Sequence, residues 1–182
     1  VVLRTLFSYN RGVKIKAIVF DLDDTLLDTT TLLIPIARTP AFYERIRKPL
    51  PLMEGSRQNL DYLVKKYPLF LLTIGDLESQ KAKIKSLGIE NYFQDLFFVD
   101  PNQTETKKMY FTKLVDNLRL QVGEFMSVGN RRSIDIRDAK FAGGLTCLFK
   151  YGEHLHEEPI LPEDYPNFEI THHNQLIKTC QL

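Results

Sequence analysis

Ala17-Ile18-Val19-Phe20-Asp21-Leu22-Asp23-Asp24-Thr25 joins an unbroken apolar run to a cluster of carboxylates. Consecutive apolar residues without alternation describe a strand covered on both faces, as in the interior of a parallel sheet. Carboxylates crowded at the end of such a strand are costly to desolvate unless a cation compensates them. A solvated acidic loop or a helix N-terminal cluster is the other reading of these residues, because Asp and Thr both cap helices.

Similar runs recur along the chain. Leu69-Phe70-Leu71-Leu72 ends at Thr73, Leu96-Phe97-Phe98-Val99 precedes Asp100, and Phe125-Met126-Ser127-Val128 precedes Gly129. Thr146-Cys147-Leu148-Phe149 follows, and Phe168-Glu169-Ile170 is a weaker last strand. Helical periodicity fills the gaps: Leu60, Leu63, Val64 and Tyr67 make one stripe, and Phe111, Leu114, Val115 and Leu118 another. The segment from Leu77 to Leu87 stops at Gly88, a residue suited to the left-handed conformation past a helix end. Strands alternating with helices predict a doubly wound α/β fold with a Rossmann-like parallel sheet, whose ligands sit beyond the carboxyl ends of the strands. The whole chain, 1–182, reads as one domain.

The alternation breaks twice. Residues 29–55 hold Pro35, Pro40, Pro49 and Pro51 around a short amphipathic piece, Phe42 to Ile46, and read as a minimal insert. Residues 151–167 are rich in Pro and Glu and read as a surface excursion.

Composition bounds the function. A net charge of +1 offers no broad basic field for nucleic acid, and no apolar stretch approaches the roughly 20 residues that span a bilayer. Cys147 and Cys180 are too few for a disulfide framework, which points to a reducing, cytoplasmic setting. The apolar start, Val1 to Phe7, lacks a signal-peptide cleavage pattern and stays unassigned.

The strand ends carry the chemistry. Asp21 and Asp23 follow the first strand, and Thr73-Ile74-Gly75 ends the second with a hydroxyl and a flexible backbone. A helix starting near Thr106 brings Lys107 and Lys108, and the fourth strand ends in Gly129-Asn130 with Asp135 beyond. Carboxylates, hydroxyl, ammonium and amide on one edge of one sheet suit a hard, oxygen-liganded cation such as Mg²⁺ together with a phosphate. Elsewhere the readings are plainer. His154 and His156 read as a solvated pair, and His172-His173 as the start of the last helix. Lys81, Lys83 and Lys85 read as a solvated helix face, with Lys81 a minor candidate for phosphate contact. Arg131-Arg132 read as cations balancing nearby carboxylates, with a second phosphate or an acidic substrate as the other reading.

Asp21-Leu22-Asp23-Asp24-Thr25 resembles the first motif of the haloacid dehalogenase superfamily, and Thr73 resembles the second. Lys107 or Lys108 stands for the third, without the usual Lys-Pro pair, and Gly129-Asn130 with Asp135 for the fourth, where the family usually has Asp in place of Asn130. The resemblance covers about residues 15–180 and implies a Mg²⁺-dependent phosphatase acting through an aspartyl-phosphate. It assigns Asp21 as nucleophile, Asp23 as general acid and base, and Thr73, Ile74 and Lys107 as phosphate ligands. It assigns Asp21, the Asp23 carbonyl, Asn130 and Asp135 to the metal. Asp23 argues for a phosphate ester over a carbon–halogen bond, which needs no acid on its leaving group. A phosphotransferase, or a weak or inactive binding module because of Asn130, stays open. In this family the insert sets substrate choice, and an insert this short implies an open site. Such a site suits a bulky phosphorylated substrate or closure by a partner subunit, with a small phosphorylated metabolite and an oligomer left open.

Overall fold

The computed structural model describes residues 14–182; the N-terminal segment left unassigned above lies outside them. Every apolar run becomes a strand: β1 (Ala17–Phe20), β2 (Leu69–Ile74), β3 (Asp95–Val99), β4 (Phe125–Gly129), β5 (Leu145–Phe149) and β6 (Phe168–Ile170). All pair in parallel in the order β3-β2-β1-β4-β5-β6. The chain therefore starts at the middle of the sheet, winds outward through β2 and β3, then returns to the other side of β1 with β4. The gap where winding reverses lies between β1 and β4, the place where open α/β sheets bind ligands.

Helices cover both faces, and each strand divides its side chains between two cores. Ile18 and Phe20 of β1 and Leu69 and Leu71 of β2 pack with Leu60 and Leu63 of α3 (Ser56–Leu63), Ile84 and Leu87 of α4 (Leu77–Leu87), and Leu176 of α7 (Leu176–Cys180). Ala17 and Val19, with Phe70 and Leu72, pack on the opposite face against Phe111 and Leu114 of α5 (Lys107–Leu118) and Ala139 of α6 (Arg137–Phe141). Burying a side chain such as Phe20 contributes about 2–3 kcal/mol. This alternation decides the site: Asp21, next after Phe20, continues toward the α5 face, and Thr73 of β2 continues toward α4.

Helix boundaries follow local chemistry. Asp76 caps α4 by accepting from the Ser79 N–H, and Gly88 ends it with φ of 64°. Thr106 caps α5, which places Lys107 at the first helical position. The stripe through Val64 and Tyr67 overreaches, because α3 stops at Leu63 and Val64 is exposed. Pro68 follows Tyr67, and the residue before a proline is driven out of helical geometry.

Of the insert, α1 (Thr29–Leu32) and α2 (Pro40–Arg45) are short, and Leu33, Ile46 and Leu50 join the same core as Phe20. The 151–167 excursion is more firmly tied than its composition suggests. Asp164 is buried and accepts from Arg137 Nε at 2.6 Å and Nη2 at 2.7 Å, and from the N–H groups of Ile160 and Leu161. The Arg137 bonds, then the two backbone donors, hold its carboxyl down at about 2 against the opposing effect of burial. Glu157 accepts from the N–H groups of Arg132 and Ser133, fastening the excursion to the segment after β4. Asp164→Ala strands Arg137 and two backbone donors, and should cost about 3 kcal/mol in urea unfolding at pH 7. The deficit should shrink as pH falls from about 4 toward about 2, because the wild-type carboxylate is then protonated.

Candidate active site

Beyond Phe20 the backbone makes a tight turn, with the N–H groups of Leu26 and Leu27 both donating to the Leu22 carbonyl. Asp24 takes a left-handed conformation there, φ 53°, which Asp tolerates better than most residues. Its carboxylate accepts from Thr30 N–H at 2.8 Å, Thr30 Oγ1 at 2.6 Å and Glu153 N–H at 3.2 Å, joining the turn to the insert and to the excursion. Glycine is required opposite it: a Cβ on Gly152 (φ 73°) would stand 2.2 Å from Asp24 Oδ2. The other side of the turn rests on His173, whose Nε2 donates to the Thr25 carbonyl at 2.6 Å. A carbonyl only accepts, so Nε2 carries the proton and Nδ1 receives Asn59 Nδ2 at 3.3 Å.

Asp21 and Lys107 form the buried centre. Lys107 Nζ, 3% exposed, donates to Asp21 Oδ1 at 2.6 Å and to Asp135 Oδ1 at 2.7 Å. Asp21 Oδ2 has a single long contact, 3.4 Å from the Thr25 hydroxyl, and so stays available to the cavity. Burial pushes the Asp21 carboxyl up to about 7 despite Lys107, and Asp135 and Asp23 add to the rise. Burial alone would lower Lys107, but the two carboxylates hold its ammonium above the usual lysine range. Lys108 does not share this place: its N–H donates to Asp138 Oδ2 at 3.0 Å and its ammonium lies over the Phe141 ring.

Asp135 is held from both sides, since Oδ2 accepts the Arg131 N–H at 2.9 Å. It sits in a π-helical turn, Arg132–Ile136, that packs onto the end of β4. A Cβ on Gly129 would come within 2.4 Å of its carboxylate, so glycine lets Asp135 approach the strand. Asn130 donates Nδ2 to the Tyr151 carbonyl at 3.3 Å, which frees Oδ1 as an acceptor.

Asp23 faces α4. Its Oδ1 receives Lys83 Nζ at 2.8 Å and the Thr29 hydroxyl, and its Oδ2 receives Gln80 Nε2 at 2.9 Å. Burial alone would raise its carboxyl, but the Lys83 charge and the Gln80, Lys83 and Thr29 bonds hold it below the usual range. Gln80 Nε2 also lies 2.8 Å from both Thr73 Oγ1 and the Ile74 carbonyl, so its two hydrogens are shared among three acceptors. Lys83 is therefore not part of a solvated face; it is 7% exposed and paired. Residues 81, 83 and 85 do not share one side of a helix. Gln80, Lys83, Ile84 and Leu87 do, and all four are buried. That spacing was the signal in the sequence: an inward stripe whose first two members are polar.

Asp21, Asp23, Thr73, Ile74, Lys107, Asn130 and Asp135 thus surround one cavity of about 130 Å³. Arg131, His154 and Glu153 stand at its rim, so His154 belongs to the site while His156 stays exposed. Arg132 reaches away to Glu169 at 2.9 Å, and Lys81 pairs with Glu78 at its exposed position. No cluster of three His, Cys, Asp or Glu side chains shaped for a metal occurs among the described residues. The oxygen donors that face the cavity are mixed in kind: the Asp21 carboxylate and the Asn130 amide oxygen. Two carboxylates against one ammonium leave the buried centre short of positive charge, which fits a divalent cation bound by hard oxygen ligands.

No family model matches the chain. Its sequence is 28% identical to a glyceraldehyde 3-phosphate phosphatase from Pyrococcus abyssi, over 76% of this chain and 83% of that one. Its structure is similar to a predicted phosphoglycolate phosphatase from Haemophilus somnus (TM-score 0.70, 16% identity, 92% and 98% of the two chains). It is also similar to the putative haloacid dehalogenase-like hydrolase YfnB from Bacillus subtilis, solved with magnesium (TM-score 0.66, 18% identity, 91% and 98%).

The charge deficit gives a test that needs no substrate. Asp21 binds a proton more tightly folded than at its ordinary 3.8, so its contribution to stability is full below about pH 4 and lost as pH rises through about 7. Asp21→Asn should raise the metal-free unfolding midpoint by about 2–6 °C at pH 8, and the gain should shrink as pH falls through about 7 and vanish near pH 4.

Proposed function

We propose that this chain, a haloacid dehalogenase-like hydrolase by fold and by its sequence relatives, is a Mg²⁺-dependent phosphatase that cleaves phosphate monoesters through an aspartyl-phosphate. The observation that carries the reading is the Asp21–Lys107–Asp135 bridge. It fixes one oxygen of a buried carboxylate and leaves the other facing the cavity.

Asp21 Oδ2 attacks phosphorus while Lys107 holds Oδ1, so the carboxylate meets its target in a single orientation. The Thr73 hydroxyl and the Lys107 ammonium line the same cavity and stabilise the phosphoryl oxygens as charge shifts onto them. Asp23 begins ionised because of Lys83 and Gln80. An arriving phosphate dianion raises a neighbouring carboxyl, which lets Asp23 carry the proton that the leaving oxygen needs. Ionised again, it takes a proton from the water that releases phosphate. Mg²⁺, held by Asp21, the Asp23 carbonyl and Asn130, would neutralise charge between the anionic nucleophile and the anionic phosphate. Asp135 has both oxygens engaged by Lys107 and the Arg131 N–H, and so serves this ligand set through water or by orienting Lys107.

Asn130 supports an active enzyme over a silent binding module, because its amide is already turned with Oδ1 unencumbered. The insert places Leu33, Ile46 and Leu50 in the common core, and Thr29 is its one residue that lines the cavity among the described residues. The leaving group is therefore free to extend outward, which suits bulky phosphate esters. The buried thiols Cys147 and Cys180 suit a reducing compartment, and we place the protein in the cytoplasm.

An aryl phosphate assayed with Mg²⁺ tests the reading. Wild type should turn over and Asp21→Asn should lose at least about 10³-fold in kcat; equal background in both would sink the proposal. Asn130→Asp should lower the Mg²⁺ concentration for half-maximal rate several-fold. An unchanged metal requirement would remove Asn130 from the ligand set.

A further inference from the structure

Gln80 sits on α4 beneath the loop that ends β2, almost fully buried, and its bonding is unbalanced. Nε2 lies within 2.8–2.9 Å of Thr73 Oγ1, the Ile74 carbonyl and Asp23 Oδ2, while Oε1 is buried with no partner. Turning the amide over would set its oxygen against a carbonyl and a carboxylate, so the observed orientation is forced. A buried oxygen without a donor is a penalty that an isosteric Met would escape. Stability does not explain this residue; its N–H group does.

The N–H group touches both halves of the chemistry. Gln80 Nε2, 2.8 Å from Thr73 Oγ1, cannot accept a hydrogen bond, so the Thr73 hydroxyl proton points elsewhere, into the cavity that Thr73 lines. Asp23 Oδ2 accepts from the same nitrogen, while Lys83 and Thr29 hold Oδ1. Gly75 secures the fit from above. A Cβ there would stand 2.9 Å from Gln80 Nε2, and φ of 152° is itself unfavourable to a side chain.

We propose that Gln80 is a positioning residue that fixes Thr73 as a hydrogen-bond donor to the phosphoryl group and aims Asp23 at the leaving-group oxygen. The inference rests on the phosphatase reading and names what orders its two halves. It separates Gln80 from a residue that merely packs, because protonating the leaving group matters most when that group is a poor one. An aryl oxide leaves readily without an acid, whereas an alkoxide does not.

The experiment compares wild type, Gln80→Met and Asp21→Asn on 4-nitrophenyl phosphate and on glycerol 2-phosphate, with inorganic phosphate as competitive inhibitor and thermal unfolding as a control. Gln80→Met should lose about 3–10-fold in kcat on the aryl ester and at least about 100-fold on the alkyl ester, and inhibition by phosphate should weaken several-fold. Its unfolding midpoint should stay within about 2 °C of wild type. Thr73→Val should weaken phosphate inhibition, and adding Gln80→Met to it should weaken it little more, because both act on one donor. Equal losses on the two esters, or losses that follow a fallen midpoint, would overturn the positioning role while leaving the phosphatase reading intact. A wild type no more active than Asp21→Asn on either ester would remove that reading, and this inference with it.

Discussion

Lys107 lies in the desolvated space between Asp21 and Asp135, and the rest of the site is arranged around what that ammonium can and cannot neutralise. One cation facing two buried carboxylates holds them in place without balancing them. Burial, with the Asp135 charge adding to it, raises Asp21 toward neutrality. Asp135 needs Gly129 beneath it and the Arg131 N–H beside it to stay in the triad, so the end of β4 is shaped by the same bridge.

The second carboxylate is managed differently. Asp23 has a paired ammonium of its own, Lys83, with Gln80 and Thr29 as further donors, and it is held ionised. Two acids a single residue apart thus sit in opposite electrostatic settings, one raised and one lowered. Environments that push neighbouring carboxyls apart in this way are how one site assigns different roles to chemically identical groups. The assignment comes from the two faces of the sheet: Asp21 meets α5, while Asp23, past the turn, meets α4.

The loops around the cavity are fastened to each other more than to solvent. Asp24 ties the first turn to the insert at Thr30 and to the excursion at Glu153, and His173 ties it to the last helical segment. Glu157, through the Arg132 N–H, and Asp164, through the Arg137 guanidinium, anchor the excursion to the segment that carries Asp135. A segment rich in Pro and Glu therefore supports the site through buried polar contacts that its composition hides.

The sequence by itself determined the strands, the parallel α/β class and most of the residues around the cavity. Those features are local: apolar runs of four or five residues alternating with helical stripes read as covered strands, and the residue after each then lies at the sheet's carboxyl edge. Lys107 over Lys108 was not local, because neighbouring helical positions diverge by about a quarter turn or more and only α5's seat on the sheet selects between them. Lys83 was misplaced for the same reason, its direction depending on which side of α4 faces the core. The bonding of Gln80 and Asp164 carries no signal in the sequence because a lone amide or carboxylate has no pattern until its donors and acceptors arrive from distant segments. Tertiary structure alone decided which charges meet, and with them which of the two aspartates flanking Leu22 is raised and which is lowered.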